Sequence, residues 1–299
     1  MSLTVVGSIA LDSVTTPAGR VENALGGSAT FFSMASSLFT KVHVVGVVGQ
    51  DFPQEHVDML VDRGIDTRDL QVADGETFRW TGSYDGDMSM AETHDTQLNV
   101  FAEFDPQISE ASRANDFQFL ANIHPALQRG VLQQVQHAKL TFMDTMNLWI
   151  DTEPEEVKAL LKEVMGIVLN DMEAKMLTGE DNLVIAGQKI LEMGPEMAVI
   201  KKGEHGATVV MDGQVVNLPA YPLHNLVDPT GAGDSFAGGM MGYLASHGEI
   251  NFDSLKRAVA HGIVVATFTC EAFSLDRLRE TTAEHVEERL AEYQNMLAF

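Results

Sequence analysis

Basic side chains are scarce in this chain: 19 Lys and Arg stand against 43 Asp and Glu, a formal net charge of −24. Such a surface repels nucleic acid and anionic lipid, so neither is an expected partner. The acids are scattered rather than gathered in a tail, which speaks against a disordered acidic arm. They form either an ordinary solvated surface or, the preferred reading, the carboxylate shell of a protein adapted to a salty cytoplasm, where screening removes much of the self-repulsion. Cysteine occurs once, at Cys270. That excludes an internal disulfide framework and fits a reducing compartment. Long apolar runs are absent too, so no membrane span is expected. Met1 to Val6 carries neither a basic segment nor a long apolar stretch, so no secretory signal is expected and the expected location is cytoplasmic. Several nucleotide and protease signatures are missing as well. There is no Gly-x4-Gly-Lys-[Ser/Thr] loop, and Gly231-Ala-Gly233 lacks the third glycine of a dinucleotide fingerprint. Asp228-Pro-Thr-Gly231 has no second copy to supply an aspartic-protease carboxylate pair.

What is there suits one large α/β domain with a small appendage: 299 residues, 45% of them hydrophobic. Thr4 to Leu11 reads as a buried strand ending at Asp12. Gly26-Gly27 then opens a small-residue helix over Ser28 to Phe39, followed by a strand over Val42 to Val48. Apolar runs at Phe117–Leu120, Leu140–Met143, Gly166–Leu169 and Ala198–Ile200 alternate with helical stretches such as Pro154–Val164 and Glu173–Leu177. That rhythm predicts a mostly parallel sheet covered on both faces. Thr77 to Tyr84 breaks it by alternating Phe78, Trp80 and Tyr84 with Thr77, Arg79, Thr81 and Ser83. With Asp85-Gly86 as the turn and Thr96 to Phe101 returning, it predicts a small antiparallel flap. The expected core is then 1–12, 26–75 and 106–299, and the expected lid is 13–25 with 76–105.

The strongest chemical signal is Asp228-Pro-Thr-Gly-Ala-Gly-Asp234-Ser-Phe-Ala-Gly-Gly. Gly231 and Gly233 free the backbone to turn N–H groups toward one point, and a helix begins near Asp234. A glycine-bearing turn feeding a helix N-terminus is an anion cradle. A carboxylate at its mouth can take the proton of an attacking hydroxyl while the cradle stabilises a transferring phosphoryl group. A plain helix cap explains Asp234 alone, but it needs neither the upstream glycines nor Asp228.

This string resembles the C-terminal signature of the PfkB, or ribokinase-like, sugar and nucleoside kinases, and the resemblance extends over nearly the whole chain. It implies a three-layer ribokinase-like fold with a β lid, and a kinase using ATP and Mg²⁺. It implies Asp234 as the base, with the N–H groups of Gly231, Ala232 and Gly233 as the anion hole. Gly26-Gly27 sits at the family's diglycine and Asp12 at the acid that holds acceptor hydroxyls. Asn170-Asp-Met-Glu173 matches an element that organises Mg²⁺, Glu173 acting through water, although the same spacing is a capping box in form. Lys201-Lys202-Gly203-Glu-His-Gly206 matches a loop on the nucleotide side, which is otherwise an ordinary tight turn. His261 lies where the family faces the adenine; a satisfied core histidine is the alternative. Asp228 matches a carboxylate that holds a monovalent cation, K⁺, with a structural acid as the alternative. The glycine-bearing loop that completes such a site is here Thr269-Cys-Glu-Ala272-Phe273, without its glycine.

Acceptor recognition departs from the pattern. Phe31 stands where many members carry Asn, and Asp144-Thr-Met-Asn147-Leu-Trp149 keeps part of an Asp-x-Asn element but lacks its Arg. The expected reaction is phosphorylation of a sugar hydroxymethyl group. The alternatives are a nucleoside kinase and, from another class, a catalytically silent metabolite sensor. Arg79, on the polar face of the flap, is the expected acceptor contact. The aromatic face would then cover a neighbouring strand or the lid of a second copy in a homodimer, or, in the alternative, stack on a nucleobase.

Overall fold

The computed structural model describes residues 1–86, 88–135 and 137–298. Its strands are β1 (Ser2–Val6), β2 (Ala10–Thr16), β3 (Gly19–Gly26), β4 (Lys41–Gly49), β5 (Asp66–Ala73), β6 (Arg79–Tyr84), β7 (Ala91–Gln97), β8 (Phe117–Leu120), β9 (Leu140–Asp144), β10 (Gly166–Asn170), β11 (Met197–Lys201), β12 (Ala207–Met211) and β13 (Gln214–Leu218). Nine of them form one sheet in the order β13-β12-β11-β10-β9-β8-β1-β4-β5. The pairs from β11 across to β5 are parallel, and β12 and β13 close the other edge antiparallel.

Successive residues of the central strands enter opposite layers, as strand alternation requires. Val5, Val44, Val168 and Val199 join the core under the helices Ser28–Ser36, Ala232–His247 and Phe252–Cys270. Val6, Val45, Leu169 and Ile200 join a second core on the other face. Continuous Val/Ile/Leu runs are thus explained by burial on both sides. Among the described residues, no helix is long and apolar enough to cross a membrane.

A second sheet of four strands, in the order β3-β2-β6-β7, forms the lid; β2 and β6 run parallel and the outer pairs antiparallel. Two expectations are corrected here. The run Thr4 to Leu11 is not one strand, because the chain leaves the large sheet after Val6 and enters the small one at Ala10. The crossing is pinned by the Ser8 carbonyl accepting from the Ala29 N–H at 3.0 Å and by the Ser8 N–H donating to Ser28 Oγ at 3.1 Å. Asp12 therefore projects from the lid sheet rather than from the end of a core strand. The returning lid strand is Ala91–Gln97, and Asn99–Glu103 is a 3-10 turn.

Candidate active site

Three neighbouring parallel strands end in polar residues at one rim of the large sheet: β9 in Asp144, β10 in Asn170 and β11 in Lys201. The carboxyl ends of parallel strands are where an α/β sheet binds ligands. The Ala232–His247 helix brings its N-terminus to the same rim, with Asp234 in its first turn. Its cap is Gly231 at φ 75°, left-handed, and a Cβ there would lie 2.3 Å from the Phe31 ring. Phe31, at the position of the absent Asn, is thus 2% exposed and packs beneath the turn.

The cradle is smaller than expected. Ala232 spends its N–H on the Pro229 carbonyl at 3.1 Å, whereas the N–H groups of Gly231 and Gly233 make no hydrogen bond to the described residues. Beside them, Asp234 is raised to about 7. Burial is the main cause and the Asp144 charge adds to it, while Lys201 and Asp234's own backbone N–H pull it down. A carboxyl group poised near neutrality suits a general base.

Asp12 faces this rim from the lid. It is also raised to about 7, chiefly by burial; the Gly27 N–H opposes the shift and the charges of Asp228 and Asp234 reinforce it. Gly26 is required by close approach, since a Cβ there would fall 1.9 Å from Asp12 Oδ2. The diglycine and the acid are therefore one structural unit.

Asn170 and Glu173 form the capping box in full. Asn170 Oδ1 accepts from the Glu173 N–H at 2.8 Å, and Glu173 Oε2 accepts from the Asn170 N–H at 2.6 Å. Glu173 is nevertheless 7% exposed and raised to about 7, by burial first and by the Asp144 charge second. Cap and site position coincide in the same pair. Gly203 and Gly206 bound a 3-10 turn directly after β11, closed by the Lys202 N–H donating to the Gly206 carbonyl at 2.7 Å.

Asp228 is 1% exposed. Its Oδ1 accepts from the Thr230 N–H at 2.9 Å, but its Oδ2 is sealed from solvent with no hydrogen-bond partner. Burial accordingly pushes its carboxyl up. The C-terminal loop reaches this residue without the missing glycine. The Val227 and Asp228 N–H groups donate to the Cys270 carbonyl at 2.8 and 3.3 Å, and Ser274 adopts the left-handed φ of 54°.

Two expected residues are not gathered at the rim. His261 is enclosed between the helices, stacked on Tyr243 at 4.1 Å and edge-on to Phe39, with Nδ1 on the Arg257 carbonyl at 2.7 Å. Tyr243 is nine residues beyond Asp234, or roughly 13.5 Å along the helix. The core-histidine alternative describes its contacts. Arg79 lies on the opposite lid face from Asp12, ion-paired with Asp51 at 2.6 Å and donating to Asn23 at 2.5 Å.

The aromatic lid face is the one that looks into the cleft. Asp12 and Trp80 are direct partners in the parallel β2–β6 ladder and share a face, which Tyr84 also occupies four residues on. Tyr84 Oη stands 3.5 Å from Thr230 Oγ1, and its hydroxyl is pushed up to about 12, mainly by burial. The sequence placed Tyr84 on the aromatic face and Asp144 in a partial acceptor element, but assigned neither its place beside Thr230 or Lys201. For Asp144 a signal existed: a carboxylate closing an apolar strand run.

Comparison with known proteins agrees with this architecture. The family model described as pfkB family carbohydrate kinase matches residues 2–281. The cytidine kinase of Thermococcus kodakarensis is 29% identical over 248 residues, covering 81% of this chain and 87% of its own. Among solved structures, the Methanocaldococcus jannaschii nucleoside kinase, an archaeal member of the ribokinase family, superposes with a TM-score of 0.80 at 19% identity, over 97% of this chain and 98% of that one. A putative ribokinase II from E. coli in complex with ATP and Mg²⁺ also gives 0.80, at 15% identity over 97% and 99%. At those identities the superpositions speak for the fold.

Proposed function

Because the chain belongs to the PfkB family of carbohydrate kinases, we propose that it transfers the γ-phosphoryl group of ATP to the hydroxymethyl group of a nucleoside, with Asp234 as the general base. The observation that carries the reaction is Asp234 in the first turn of its helix, beside the free N–H groups of Gly231 and Gly233 and opposite Asp12. Asp12 orients the acceptor's sugar hydroxyls. The hydroxymethyl oxygen attacks the γ-phosphorus and gives its proton to the Asp234 carboxylate. The new O–P bond forms as the bond to the β-phosphate oxygen breaks, and that electron pair leaves with ADP. Positioning and charge stabilisation supply most of the acceleration in such transfers.

Mg²⁺ supplies charge neutralisation on the phosphates. Asn170 and Glu173 fit it through water, since Glu173 keeps one carboxylate oxygen outside its capping box. K⁺ fits beside Asp228, whose buried and unpartnered Oδ2 calls for a cation.

The nucleoside is favoured over a simple sugar by one feature of the lid. The Trp80 indole lies flat along β6: a Cβ on Gly82 would be 2.3 Å from its six-membered ring. Trp80 Nε1 donates to Thr93 Oγ1 at 3.1 Å, which fixes the ring. A flat ring held next to the acid that binds hydroxyls suits a base attached to a ribose. The similarity to a cytidine kinase over most of both chains supports the same reading. A panel of nucleosides and free sugars, assayed by ATP consumption, tests it. Turnover with a nucleoside is expected. Turnover with free sugars alone overturns the acceptor, and nucleotide binding without any turnover favours the sensor.

A further inference from the structure

Lys201 is the cation that offsets the carboxylates of this rim, and its surroundings are unusual. Its side chain is 17% exposed, and Nζ stands 3.6 Å from Asp144 Oδ2, beyond ordinary hydrogen-bond length. Asp144 is the one partner that the described residues offer Nζ, although an ammonium carries three donors. The side chain is thus enclosed but not wholly sealed. The place of Nζ is specific. A Cβ on Gly233 would lie 3.0 Å from Nζ, so the ammonium sits against the residue whose N–H is free in the cradle. Its neighbour Lys202 is different: its ammonium donates to Asn217 Oδ1 at 3.1 Å.

The charge balance explains why the ammonium stays there. Burial opposes its charge, but Asp144, Glu173 and Asp234 together hold its pKa above the ordinary lysine value, so it is charged at neutral pH. Asp144 is itself fixed by two contacts. Its Oδ1 accepts from the Thr145 N–H at 2.8 Å, and its carbonyl accepts from Gln128 Nε2 at 2.9 Å. A buried ammonium with unspent donors needs oxygen acceptors to complete its shell. A polyanion entering the cradle brings them.

We propose that Lys201 Nζ, waiting against Asp144 in the free enzyme, binds the γ-phosphoryl group of the incoming nucleotide as a fourth side of the Gly231–Gly233 cradle. Asp144 is the positioning residue, the resting counter-ion that the phosphate oxygens displace. This rests on the kinase reading above and adds a donor and a switch of partner to it. The proposal accounts for how a site with five buried or half-buried carboxylates (Asp12, Asp144, Glu173, Asp228 and Asp234) accepts a further anion.

Calorimetric titration with Mg·ADP and with the Mg complex of β,γ-imido-ATP separates the γ-specific contact from the rest, and no acceptor is needed. The parent enzyme is expected to prefer the imido analogue. Lys201→Met should reduce that preference at least about tenfold and leave ADP affinity within about threefold, and Lys201→Arg should restore most of it. Asp144→Asn should move the preference the other way, because a competing carboxylate is gone while the ammonium remains. A merely structural residue would weaken both nucleotides alike. If Lys201→Met does not fold, the double variant Asp144→Leu/Lys201→Met, which leaves no unpaired charge, should fold and lose the preference. Equal losses for the two nucleotides, or a preference kept without Lys201, would overturn the proposal. A parent that binds neither nucleotide would instead sink the kinase reading, and this proposal with it.

Discussion

The helix-and-sheet wall of the cleft carries Asp144, Glu173, Lys201 and Asp234, whereas the lid wall presents Trp80 and Tyr84 around a single carboxylate, Asp12. The first wall is electrostatically uneasy: Glu173 and Asp234 are raised to about 7, because burial and mutual repulsion favour their neutral forms. The second carries one such group, Asp12, likewise raised to about 7, beside an indole laid along its own strand and a tyrosine hydroxyl kept protonated. Charge gathered on one wall is suited to moving a phosphoryl group. Rings gathered on the other are suited to choosing what receives it. Separation of the two tasks predicts that variants on the two walls fail in different ways.

The largest effect belongs to the charged wall. Asp234→Asn should cut turnover about 10²–10⁴-fold while Mg·ATP binding stays near that of the parent. Steady-state kinetics alongside nucleotide titration checks both halves. A variant that keeps more than about a tenth of parental kcat removes Asp234 from the base role.

The pH dependence comes next in size. A base near 7 gives a kcat/KM that falls about tenfold per pH unit on the acid side of that value. Stability runs the other way. Asp12, Glu173 and Asp234 have folded-state values above their ordinary ones, so their contribution is fully present below about pH 4 and is lost as pH rises through about 7. The melting temperature of the nucleotide-free protein should therefore drop between pH 5 and pH 8, the interval in which activity rises. An acid limb near pH 4, or a melting temperature that climbs over that interval, breaks the description of this wall.

On the lid wall, Trp80→Ala should raise the acceptor KM about 3–10-fold, the scale of one lost ring contact. The ATP KM should not move. Arg79→Ala, on the far face and already committed to Asp51 and Asn23, should change the acceptor KM less than about twofold. If Arg79 proves the more sensitive of the two, the assignment of faces is wrong. The smallest effect is expected from K⁺, which acts through the Asp228 loop and not on the reacting atoms. At fixed ionic strength, activity should rise about threefold, roughly 0.6 kcal/mol, and Asp228→Ala should remove the response. Equal rates in K⁺ and in a bulky organic cation would dismiss that site.

Much of this molecule was legible in one dimension, for a definite reason. The cradle and the base lie within four residues, from Gly231 to Asp234, so local backbone chemistry and helix capping suffice to read them. The capping box of Asn170 and Glu173 is equally local. The central strands announce themselves because burial on both faces leaves continuous apolar runs. What lay beyond the sequence depends on pairs far apart along it. Asp144 meets Lys201 across 57 positions, over the end of β10. Asp12 needs Gly26 only because β2 and β3 pair with their ends in contact. Alternation assigned the lid's residues to two faces but not which face looks inward; that follows from the register of Asp12 with Trp80. His261 lies on a helix whose pattern allows either a ligand or a core position, and its contacts with Tyr243 and Phe39 come only from the packing of the fold. Sequence alone fixes chemistry that neighbouring residues complete among themselves, while tertiary structure decides every role that needs a partner from another strand or helix.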